Sequence, residues 1–197
     1  QIQNNQMYDS GVDSCGNIYT NQLFPVLDIE GTANLYVEED SCLTSPDKDY
    51  SYVIQVTGDM TLKEGNGRLT LMLGNCKEDS EEEENYGYSI WGRKEGENRR
   101  QGTVTLEGGD LVAYGAIEGV EKFTMTGGKA DLSYGDDRCV YAKDIAILGG
   151  ELSLTDDAEK EWVSYFLKGR NSIYIDGAKI TAKQKSPTPV SYTHLTL

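Results

Sequence analysis

The stretch DIAILGGELSL, residues 144–154, decides how this chain is read. Apolar residues alternate on both sides of a Gly pair. Alternation places one face of an extended strand inward and the other outward. The Gly pair permits positive φ, so the chain can turn sharply between two short strands. One such unit cannot bury its apolar face alone.

The pattern recurs. VTLEGGDLVA (104–113), FTMTGGKADL (123–132) and IAILGGELSL (145–154) share the order apolar, any, apolar, any, Gly, Gly, any, apolar, any, apolar. MTLKEGNGRLTL (60–71) carries two extra residues at the turn, LDIEGTANLYV (27–37) is a looser version, and AKITAK (178–183) opens another. A second similarity precedes the motif. VYAKDIAI (140–147) matches IYIDGAKI (173–180) in character, with AIEGVEKFTM (116–125) and VIQVTGDMTL (53–62) as longer relatives. Anchored on the second apolar residue, the units fall at Ile29, Leu62, Leu106, Met125, Ile147 and Ile180, with gaps of 33, 44, 19, 22 and 33. The shortest gaps set a bare unit near twenty residues, and the longer ones imply inserted loops.

Units that repeat at this spacing build a continuous core by stacking. We therefore expect an all-β chain wound as a right-handed parallel β-helix, a solenoid, with two inserted loops, one of them a short helix. The competing fold is an antiparallel β-sandwich or barrel of hairpins turning at EGGD and EGNG. It accounts for each turn separately, but not for the recurrence of the segment before it. The expected organisation is an N-terminal segment over 1–22, one solenoid domain over 23–185, and a foreign tail over 186–197. The tail, SPTPVSYTHLTL, departs from the preceding composition and resembles a translated sequencing adaptor, as on a metagenomic fragment, so we exclude it from fold reasoning. The chain starts at Gln1 without Met, which we read as processing or a fragment.

Composition agrees with strands and turns. Among 197 residues there are 22 Gly, 13 Tyr and only 4 Pro. The formal charge of −15 opposes nucleic-acid binding, because phosphates would be repelled. No run approaches the ~18 apolar residues of a membrane span. The single histidine, His194, lies in the excluded tail, which removes Ser-His-Asp, Cys-His and His-metal chemistry from the candidates.

YVIQVTGDMTLKEGNGRLTL and CVYAKDIAILGGELSL resemble the Gly-Gly repeats of secreted and surface proteins of gut bacteria, some of which carry a carbohydrate-binding-domain label. The likeness covers roughly 23–183 and is clearest over 50–154. It implies a parallel β-helix, an extracellular or cell-surface location, and glycans or a host or cell surface as partners, with no cofactor. It leaves the oligomeric state open.

Two insertions interrupt the units. The first, about 75–101, contains KEDSEEEENYGYSIWGRKEGENRRQ. Its charges can pair with one another in a solvated loop, each pair contributing ~0–1 kcal/mol. Its aromatic residues Tyr86, Tyr88 and Trp91 can serve as a sugar platform. Glu81–Glu84 show no EF-hand spacing, and GGKADLSYG lacks the Gly-x-Asp order of a calcium-binding nonapeptide, so no metal site is assigned. The second, TDDAEKEWVSYFLKG (155–169), reads as a short helix capped by Thr155 or Asp156 and closed by Lys168–Gly169. Ala158, Trp162, Val163 and Phe166 share one helical face. The β-rich WVSYF keeps a strand as the alternative. Both insertions follow the second strand of a unit and should emerge on one side, where Trp162 joins Tyr86, Tyr88 and Trp91 as ligand-binding candidates.

Catalysis on a β-helix would need paired carboxylates or a base beside a cation. Asp131 and Glu151 are the nearest approach, but alternating outward positions are polar by default, and we expect no enzyme; the alternative is a polysaccharide-acting lyase or hydrolase on a β-helix. The four cysteines allow three disulfide connectivities. Cys42 and Cys76 each follow the end of a second strand, Val37 and Leu71, by five residues. Equivalent residues in stacked units lie ~4.8 Å apart, within the ~4.4–6.8 Å that a disulfide accepts. The expected pair is Cys42–Cys76, which leaves Cys15–Cys139. Four small buried thiols are the alternative in a reducing compartment.

Overall fold

A computed structural model describes residues 2–3, 10–12, 18–20, 25–45, 52–73, 88–92, 101–134, 138–156 and 165–184. Every regular element among them is a strand. Three short strands come first: β1 (Ile2–Gln3), β2 (Ser10–Val12) and β3 (Ile18–Thr20). β2 and β3 pair antiparallel. Three triplets follow. The first is β4 (Leu27–Ile29), β5 (Thr32–Leu35) and β6 (Ser41–Thr44). The second is β7 (Tyr52–Val56), β8 (Asp59–Leu62) and β9 (Arg68–Met72). The third is β10 (Tyr88–Trp91), β11 (Thr103–Leu106) and β12 (Asp110–Tyr114). Three pairs complete the series: β13 (Ala116–Met125) with β14 (Lys129–Tyr134), β15 (Arg138–Ile147) with β16 (Glu151–Asp156), and β17 (Tyr165–Ile175) with β18 (Lys179–Gln184).

From β4 onward the strands pair parallel with their counterparts in the neighbouring repeats. One sheet runs β1-β6-β9-β12-β14-β16-β18. The other has two limbs, β4-β7-β10 and β5-β8-β11, which both join β13 and continue through β15 to β17. β13 thus does with one strand what earlier repeats do with two. Its register shifts between Glu118 and Val120, around Gly119 at φ 73°. A corner between two strands has become a bulge inside one.

The antiparallel sandwich or barrel is set aside by this pairing, since only β2 and β3 run antiparallel among the described strands. The Gly pairs stand where the sequence requires them. The second glycine of each is left-handed: Gly109 at φ 77°, Gly128 at 76° and Gly150 at 86°. A side chain would strain this conformation, which glycine adopts freely. The backbone amides just past these corners donate to the corner one repeat earlier, Lys129 to Gly109 and Glu151 to Gly128.

Alternation builds the core from rows of like positions. Leu35, Leu62, Leu106, Met125, Ile147 and Ile175 are successive neighbours, as are Ala33, Met60, Val104, Phe123, Ile145 and Ile173. Met125 is fully buried, whereas Ile173 in the last repeat is 46% exposed. Opposite them, Leu69, Leu111, Ala130, Leu152 and Ile180 form a row of the other sheet.

These rows correct two of the six sequence anchors. Ile29 pairs with Val56, so Leu35 is the true mate of Leu62. Ile180 pairs with Leu152, so Ile175 is the mate of Ile147. IYIDGAKI accordingly aligns with residues 145–152 and not with 140–147. The short helix is corrected as well. Thr155 and Asp156, its expected caps, end β16, and Tyr165–Gly169 open β17. Pairing with Arg138, Val140 and Tyr141 outweighs local helix signals there. Phe166 packs against the core from that strand. Ala158, Trp162 and Val163 lie outside the described residues.

Candidate functional site

Tyr88 and Trp91 are not on a loop. They begin and end β10, which sits between β7 and β13 with Ile90 fully buried. The first insertion is therefore split, with residues 74–87 before β10 and 93–100 between β10 and β11. Residues 74–87 follow β9 and 157–164 follow β16, strands of one sheet in which Met72 and Thr155 share a register row, so these two segments leave from equivalent positions. Residues 93–100 follow β10 in the other sheet. Tyr86 lies outside the described residues, as does Trp162, so only Tyr88 and Trp91 of the four ligand candidates can be placed.

What the sequence did not reveal is their company. The Trp91 ring lies 4.9 Å from that of Tyr52, tilted by 49°, and 6.0 Å from that of Tyr88, nearly parallel at 16°. Parallel pairing of β7 with β10 brings Tyr52 beside Tyr88 across about 36 residues of chain. The three rings are half-buried. At these separations and angles the rings pack as offset and tilted aromatic pairs. Beside Trp91 in register is Gln55, only 7% exposed. Its Nε2 donates to Asp28 Oδ1 at 3.1 Å, and its Oε1 is buried with no hydrogen-bond partner.

The same row continues across the sheet from Trp91 through Glu118 and Tyr141 to Lys168. Arg138 grips Glu118 with two hydrogen bonds, Nε to Oε2 at 3.2 Å and a terminal nitrogen to Oε1 at 3.0 Å. Such a forked pair is geometrically specific. The Arg138 guanidinium also stands 4.6 Å from the Tyr141 ring centre. Lys168 Nζ lies 5.4 Å from the Tyr141 ring and 5.6 Å from the Tyr165 ring, and Arg170 lies 5.8 Å from Tyr141. These distances are in the range of cation–π attraction. Close by, Lys143 is held above the usual lysine range by its hydrogen bond to Glu121 and that carboxylate's charge, with Arg170 opposing the rise.

A second face is a shallow trough of about 510 Å³ on the outside of the other sheet. Arg68, Asp110, Lys129, Glu151 and Lys179 alternate in charge along one row. Arg68 meets Asp110 at 3.0 Å, and Lys179 meets Glu151 at 3.6 Å. The Asp110 hydrogen bond and charge hold Arg68 above the usual arginine range. The next row, Thr70, Val112, Asp131, Ser153 and Thr181, is small or polar. Asp131 and Glu151 lie on neighbouring strands but in different rows, and Glu151 is already engaged by Lys179. The arrangement is that of a solvated sheet face with paired charges. Among the described residues, no three or more His, Cys, Asp or Glu gather as a metal site.

The register also changes the cysteine argument. Cys42 pairs with Thr70, and Leu43, not Val37, is the mate of Leu71. Cys42 and Cys76 are therefore not equivalent positions, since Cys76 lies six residues beyond Thr70. Cys42 is a free thiol with Sγ 3.5 Å from Thr44 Oγ1. Cys139 is buried, its Sγ 3.7 Å from the carbonyl oxygens of Leu132 and Thr155. Cys15 and Cys76 lie outside the described residues.

No helix among the described residues is long and apolar enough to cross a membrane. Compared with protein families, with curated proteins and with solved structures, the chain matches none.

Proposed function

We propose that the repeats wind as a right-handed parallel β-helix that works outside the cell, binding glycans along one wall or serving as an adhesive or structural stalk, without catalysis. The parallel stacking of like strands supports the winding. Right-handedness follows from the strong preference of parallel crossovers for that hand. The observation that carries the binding role is the Tyr52–Trp91–Tyr88 cluster. Half-exposed rings on a rigid sheet offer a flat apolar surface to the C–H face of a sugar, with little entropy lost on binding. The buried Oε1 of Gln55 beside them is an acceptor left unmet, at a cost on the order of 1–3 kcal/mol.

A glycan array probed with the intact chain, combined with an assay for newly released reducing ends, tests the proposal. We expect binding without release, and at least about tenfold weaker binding by Trp91→Ala, the loss of one stacking contact of ~1.4 kcal/mol. Release of reducing ends would replace binding with catalysis. An array with no signal would leave only the stalk. Unchanged binding by a folded Trp91→Ala variant would remove the cluster from the site.

A further inference from the structure

The chain has 33 acidic residues against 18 basic ones, yet bases collect at one place on the outer wall beside the aromatic cluster. β13, β15 and β17 follow β10 in the sheet, each strand about 4.8 Å from the last. Tyr141 therefore stands two strands from Trp91, in the same register row, and Lys168 stands one strand further. Arg138 and Lys143 are committed to Glu118 and Glu121. Asp144 is committed to Asn171 and Ser172. Lys168 and Arg170 are different. Both are exposed, both face the Tyr141 ring, and among the described residues neither meets a carboxylate. Arg170 has one polar partner, a 2.9 Å hydrogen bond to Gln101 Oε1.

An ammonium and a guanidinium held over one tyrosine, neither ion-paired with a carboxylate among the described residues, suit a ligand that brings both a ring face and an anion. An anionic sugar does so. Its ring can lie along the Trp91–Tyr141 row, and its carboxylate or sulfate can accept from Lys168 Nζ and the Arg170 guanidinium. The overall charge of −15 would repel such a ligand elsewhere, so the patch also fixes where it lands.

We propose that the glycan bound by this wall is acidic, bearing uronate or sulfate groups, and that Lys168 and Arg170 select it. This rests on the glycan-binding role proposed above. The test uses an array with uronate-bearing, sulfated and neutral oligosaccharides, then calorimetry on a matched pair, an oligogalacturonate and its methyl ester. Acidic members should bind about tenfold or more tightly than neutral ones, and the preference should shrink as salt rises. The exposed double variant Lys168→Gln/Arg170→Gln, with an unchanged melting temperature, should lose the preference while keeping residual binding to the methyl ester. Trp91→Ala should weaken both members of the pair. Equal binding of acid and ester, or a preference untouched by the double variant, overturns the inference and leaves glycan binding standing. No binding to any oligosaccharide overturns both.

Discussion

Gly128 lies so close against Gly109 that a β-carbon on Gly128 would fall 2.5 Å from the Gly109 carbonyl oxygen. The same oxygen accepts a hydrogen bond from the Lys129 amide at 2.9 Å. Two repeats thus meet backbone to backbone at the corner, at φ 76° for Gly128. Gly128→Ala must both strain that dihedral and push the corners apart. We expect it to cost about 1–3 kcal/mol, read as a lower midpoint in urea. Gly31 is the control, since a β-carbon there would meet nothing within 4 Å. Gly31→Ala should stay within about 0.5 kcal/mol of the parent. Equal effects of the two substitutions would show that the corners are not in contact.

Met125 is fully buried between Leu106 and Ile147. Met125→Asp places a carboxylate there with no partner in the row, and the domain should fail to fold. Leu106→Ala, a milder probe of the same row, should cost about 2–5 kcal/mol. A melting temperature unchanged in either variant would show that these residues do not share one inward row.

Arg138 and Glu118 form a forked pair whose side chains are 20% and 18% exposed. Glu118→Gln leaves Arg138 part-buried with a weaker acceptor. We expect a loss of about 1 kcal/mol that diminishes in high salt. Chemical denaturation at low and high ionic strength checks both parts, and a loss that did not change with salt would assign the effect to packing alone.

Asp144 is held below the usual carboxylate range by the hydrogen bond from Ser172 Oγ at 2.6 Å, and then by that from Asn171 Nδ2 at 2.7 Å. Because the folded value is depressed, any stability that Asp144 adds is present above the ordinary carboxylate pKa. It is lost as pH falls through the depressed folded value. Removing the stronger donor with Ser172→Ala should move the Asp144 titration upward, toward the ordinary range. Carboxyl NMR follows it directly, and an unmoved midpoint would show that Ser172 does not set it.

Between residues 104 and 154 the sequence alone determined the strands, the inward rows and the glycine corners. Period-two alternation has one solution when one face must be buried, and the second glycine of each pair answers to a backbone dihedral that side chains resist. At both ends of the repeat the same signal was ambiguous. Ile29 and Leu35 are both inward apolar residues, as are Ile175 and Ile180, and alternation does not say which wall a segment joins. Only interstrand pairing decided that, placing Leu35 against Leu62 and Ile175 against Ile147. The site divides in the same way. Trp91 and Tyr88 were visible as aromatics, but their acidic and basic flanks read as a loop, and nothing local in the sequence marks Ile90 as buried. Tyr52 meets Trp91, and Lys168 meets Tyr141, only because strands far apart in the chain become neighbours in the sheet.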